Sequence, residues 1–279
     1  MNGPLHKTLG AAVELAWQQW TALGVRGVAP IPRYAIDLEA LIAFTPFVAE
    51  ADPRLAEEVR DWCMRIAPGF VSAPRLKHVT RLFPPIRDKH DVTRSSPTAT
   101  SGKSAEPRLS LPALFQLRAR RIFGVGSRAD TIVALLRSRH RAEGVSVRDL
   151  AAHGYTKRNV ARVLDELAGA GVVTRLTNGH AGYYRIDPNI LAWIGRFPVP
   201  REIPPWVERL AIVAAILDAC HRMKWKAEIA LAVELNQAFA RLEPLTMAVE
   251  SPRPRAIGAE AIIEAAARWV DPWLPAVPR

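Results

Sequence analysis

Within six residues of the stretch TKRNVARVLDELAGAG stand Lys157, Arg158, Asn159 and Arg162. An arginine can donate two parallel hydrogen bonds to one planar acceptor edge, an asparagine donates and accepts at once, and a lysine offers a compact charge suited to phosphate. That is the chemistry of recognition, not of bond-making. These side chains act together only if the chain between them is helical, because residues three and four apart then share a face.

Bond-making chemistry is hard to find elsewhere. The histidines, His6, His78, His90, His140, His153, His180 and His221, show no HExxH or clustered spacing, and adjacent Cys220 and His221 on one helix cannot both face one ion. Cys63 and Cys220 offer no CxxC and read as buried packing residues. No GxSxG or GxxxxGK[ST] is present. The pattern Gly124-x-Gly126-x-x-Ala129 superficially matches a dinucleotide fingerprint, but LRARRIF before it is a poor buried strand and no βαβ pattern follows. Its glycines serve instead to turn the chain sharply into a helix. Glu57, Glu58 and Asp61 fall on the outer side of a helix whose apolar face holds Leu55, Val59 and Trp62, which predicts a solvated face. No enzyme, metal or cofactor is expected.

The elements that would position the basic cluster can be read locally. Ser127 to Asp130 forms a capping-box pattern and opens a first helix with Ile132, Leu135 and Leu136 inward. Gly144 and Val145 break the chain, Ser146 to Asp149 repeats the pattern, and a short helix runs from Val147 to Ala152 before His153 and Gly154. Thr156 caps a third helix in which Val160, Val163, Leu164 and Leu167 face inward, ending at Gly169 or Gly171. With those positions buried, Lys157, Arg158, Asn159 and Arg162 remain outside. Val172 to Leu176 and Tyr183 to Ile186 then read as two strands around a turn-rich tip.

Three helices followed by a hairpin, with LDELAGAGVVTRL leading into NGHAGYYRI, resemble the winged helix-turn-helix domain of bacterial transcriptional regulators. The resemblance covers Gly124 to about Ile190. It implies that the third helix reads double-stranded DNA in the major groove and that the wing, through Arg175, Asn178, His180 and Arg185, touches phosphate or the minor groove. Arg148 on the short helix and the cap Thr156 complete the candidate set.

Charge points the same way. Between Arg118 and Arg162 eleven Lys and Arg stand against three acids, +8 of the chain's net +11. A basic stripe of this kind fits a polyanionic partner.

The rest predicts a mostly α fold: a helical N-terminal domain at 1–88, a polar linker or mobile loop at 89–110, the central winged helix-turn-helix with a two-stranded β-wing at 111–196, and a proline-rich break followed by a C-terminal helical region at 197–279. No apolar run approaches the ~20 residues of a membrane span, and MNGPLHKTLG lacks a signal-peptide layout, so a cytoplasmic location without membrane contact is expected. Leu210, Ala211, Val213, Ala214, Ile216, Leu217 and Cys220 make their helix apolar over more of its circumference than one covering surface needs, which predicts a homodimer joined there, the alternative being cover by the N-terminal helices of the same chain. A protein of another class fits the same organisation: an adaptor or antitoxin-like partner whose flanking helices grip a second protein.

Overall fold

The computed structural model describes residues 3–86, 102–178, 181–186, 199–223 and 228–275. It is mostly helical with one small antiparallel sheet. Helix α1 (Pro4–Ala22) starts on a first-turn proline and buries Leu5, Leu15 and Trp20. Asp37 caps the wholly buried α2 (Leu38–Phe44). Asp52 caps α3 (Pro53–Arg65) by accepting from the Leu55 amide, and its second oxygen accepts from Trp17 Nε1 at 2.7 Å. A further helix, α4 (Ala73–Thr80), follows Ser72.

Asp61 is not on a solvated face. It is 5% exposed and accepts from the Gly102 amide at 3.1 Å, while the Ala105 amide bonds to Gly24 O at 2.8 Å. The polar stretch from Gly102 is therefore packed on the first helices; residues 89–101 lie outside the described residues.

The C-terminal helices α9 (Trp206–Arg222), α10 (Glu228–Thr246) and α11 (Ala259–Val270) share one hydrophobic core with α1 to α4 and make one helical body with them. Trp206 fixes the junction by donating from Nε1 to Ala35 O at 2.7 Å. This explains the apolar circumference of α9. Leu210, Ala211, Val213, Ala214, Ile216, Leu217 and Cys220 are all buried within the chain, against α2, α10 and α11. That face offers no surface to a second copy. Among the described residues no helix is long and apolar enough to cross a membrane.

A second core gathers α5 (Phe115–Phe123), α6 (Ser127–Arg137), β1 (Val145–Ser146), α7 (Val147–Ala151), α8 (Lys157–Gly169), β2 (Val173–Asn178) and β3 (Ala181–Ile186). The sheet order is β1-β3-β2, so the expected two-stranded hairpin gains a third strand where a break was expected. Gly144 allows it: its φ is +78°, and a Cβ there would stand 2.8 Å from Tyr184 O. Gly126, at φ +146°, turns the chain into α6. Helix α5 serves both bodies, with Leu117 in the first core and Phe115 in the second.

Candidate nucleic-acid interface

The local reading of α8 and its neighbours holds at most positions. Thr156 accepts from the Asn159 amide at 3.2 Å and caps α8, whose Val160, Val163, Leu164 and Leu167 are buried. Ser146 and Asp149 form the capping box that starts α7, and Arg148 is exposed on that helix. The first capping box does not form. Helix α6 begins after Gly126 with no side-chain cap, because Asp130 is drawn into the interior and Ser127 donates instead to Asn159 Oδ1 at 2.9 Å.

Lys157, Arg158 and Arg162 are exposed along one side of α8. Lys157 and Arg158 have no acidic partner among the described residues. Arg162 Nη1 reaches Glu166 Oε1 at 2.5 Å, and Arg128 pairs with the other oxygen of the same carboxylate. The Arg128 hydrogen bond, helped by Arg162, holds the Glu166 carboxyl below the usual range, so it stays ionised. Half-buried Asn159 accepts from Ser127 with one lone pair of its amide oxygen and keeps its amide hydrogens.

The hairpin places its two arginines apart. Arg175 pairs across the sheet with Tyr184, and Arg185 with Thr174. Since side chains alternate along a strand, the two exposed arginines leave opposite faces. Arg175 is on the face that carries Val173, Tyr184 and Ile186 into the core with α8, and it runs over Gly182, where a Cβ would stand 3.6 Å from its Nε. Asn178 ends β2 opposite Ala181, and His180 lies outside the described residues.

What fixes α8 relative to the helical body is a buried ionic seam. Arg120 Nε and Nη2 donate to Asp130 at 2.9 Å each, Nη1 and Nη2 donate to Glu39 at 2.6 and 2.9 Å, and Nη1 also reaches Phe70 O at 2.7 Å. Arg75 pairs with Asp37, approaches Glu39 at 3.3 Å and donates to His153 O at 3.2 Å. Burial works against both guanidinium charges, but the surrounding carboxylates outweigh it and hold them protonated. Tyr155, in the turn before α8, donates to Asp130 Oδ2 at 2.5 Å and shares a 2.8 Å bond with Ser72 Oγ. Burial and the Asp130 carboxylate push its hydroxyl pKa up, so it stays a donor.

Part of the basic stripe is therefore internal: Arg120 is 1% exposed, and Arg118, 5% exposed, donates to Leu109 O and lies over the Phe115 ring. Sequence reasoning missed this seam. The available signal was Glu39, a carboxylate amid apolar IDLEALIAF, because a charge at such a position must find a buried partner. Cys220 is buried as expected, whereas Cys63 is only half-buried. Among the described residues no group of three or more His, Cys, Asp or Glu could hold a metal ion. No family model, curated protein or solved structure matches the chain.

Proposed function

We propose that this protein is a sequence-specific double-stranded DNA-binding transcriptional regulator and that α6 to β3 form its winged helix-turn-helix. The observation that supports it most is the capped, amphipathic α8 with Lys157, Arg158 and Arg162 exposed on one side and its preceding turn anchored by Tyr155. A helix so held can enter the major groove by its N-terminal half. Arg158 then reads guanine with two hydrogen bonds, while Lys157 and Arg148 meet phosphates and fix the register. The hairpin follows the backbone beside it. A single module reads only a short half-site, so two copies act together on DNA through a surface other than α9.

Fluorescence anisotropy with labelled duplexes from the region beside its own gene, against shuffled duplexes over a salt series, tests this reading. Preferential binding to one duplex is expected. No binding to any duplex at low salt defeats it.

One observation favours a protein partner instead. Val125, 43% exposed, lines a cleft of about 690 Å³ between Ser72 to Pro74 and the start of α8. On that reading α8 is the edge of a protein-docking surface of an adaptor or antitoxin-like chain, and the anisotropy titration returns no binding.

A further inference from the structure

On the helical body, far in sequence from α8, a second cleft of about 560 Å³ opens where the chain leaving α4 crosses α9 and α10. Its volume falls among those of small-molecule sites. The apolar lining comes from Leu82, Phe83, Ala215, Ala238, Leu242 and Leu245. The wall is built, not incidental: Phe83 is 6% exposed and stacks on Phe47 with centroids 6.3 Å apart, and Ala238 and Leu242 are buried on α10.

The charge at the mouth is uneven. Asp218 is answered by Arg222, whose Nε stands 3.0 Å from its carboxylate and whose Nη1 reaches Glu234 at 2.5 Å. Arg81, at the C-terminal end of α4, and Arg241, on α10, also line the cleft, are exposed, and have no acidic partner among the described residues. Two cations without an acidic partner among the described residues thus border an apolar floor. A neutral ligand would gain nothing from the two charges, and a compact polyanion would be stripped of water against leucine and phenylalanine with the floor unfilled. A single anionic group on an apolar body satisfies both parts, with the body covering the floor and the anion bridging the arginines.

We propose that this cleft binds a small organic anion of that kind, a medium-chain or aromatic carboxylate. The proposal does not rest on the DNA reading, since the ligand is measured with no nucleic acid present.

Isothermal titration of the full chain with octanoate, octanol and octylammonium tests it. Octanoate binds saturably, and octanol, with the same tail and no charge, binds about tenfold more weakly. Because Arg81 and Arg241 are exposed, the double variant Arg81→Glu/Arg241→Glu keeps the circular dichroism of the parent and shifts preference from octanoate to octylammonium. Absence of saturable octanoate binding at millimolar concentration overturns the proposal. So does octanoate binding that the folded double variant leaves unchanged, because the anion then sits elsewhere.

Discussion

Arg120 and Asp130, ten residues apart on adjacent helices, meet in two parallel hydrogen bonds of 2.9 Å, while the same guanidinium holds Glu39 from the other core. Both side chains are almost wholly buried, so neither charge can fall back on water when its partner is removed. Arg120→Met leaves Glu39 with only the 3.3 Å approach of Arg75 for a cation and Asp130 with the Tyr155 hydroxyl, and should cost about 3–5 kcal/mol of stability. Replacing Arg120, Asp130 and Glu39 together with apolar residues of similar volume should cost much less, because no charge is left buried alone. Urea denaturation of the single and triple variants measures the difference; equal losses would show that packing, not charge pairing, joins the two bodies.

The exposed face of α8 carries opposing contributions. Arg158→Ala should lose about 1–3 kcal/mol of affinity for the preferred duplex and leave the fold intact. Glu166→Gln, by contrast, removes the carboxylate that occupies Arg128 and Arg162, and should tighten binding to all duplexes. The slope of log K against log salt should steepen by about one unit for each arginine that reaches a phosphate. Anisotropy over a salt series measures both variants. Weaker binding by Glu166→Gln would mean that the carboxylate organises the two arginines for contact instead of withholding them.

The opposite projection of Arg175 and Arg185 makes them distinguishable. Arg175 shares its face of the hairpin with the residues packed against α8, so Arg175→Ala should reduce the salt slope by about one unit. Arg185→Ala, pointing away, should leave the slope unchanged. The reverse pattern would place DNA on the other side of the wing.

His153 gives the stability a pH dependence. Burial, reinforced by Arg75 and Arg137 and only partly countered by Asp37 and Asp130, lowers its pKa from 6.5 to about 3. The unfolded chain therefore takes up a proton between about pH 6.5 and 3 that the folded chain refuses, and stability falls as pH drops through that window. His78 is lowered as well, first by burial and then by Arg75, and adds in the same direction. Denaturation midpoints at pH 7.5 and pH 5 should differ for the parent and differ less for His153→Gln, whose backbone carbonyl still receives Arg75. An unchanged difference would assign the effect to other groups.

Capping, helical period and turn chemistry act over about four residues, and what they govern was legible in the amino-acid sequence. Thr156 and Ser146 cap where their spacing predicts, Val160, Val163 and Leu167 turn inward, and Lys157, Arg158 and Arg162 are left outside. The tertiary structure decided whatever depends on a partner distant in the chain. Ser127 and Asp130 have the spacing of a capping box, but Arg120, itself bridging to Glu39 from 81 residues away, outbids the backbone amide for Asp130. Val145 and Ser146 are too few to mark a strand and become one only because Tyr183 and Tyr184 lie alongside. The apolar circumference of α9 correctly implied full burial, yet only the fold supplied the covering surface, the chain's own helices in place of a second copy. A side chain's tendency to be buried is local, whereas the group that buries it is fixed only when separate segments meet.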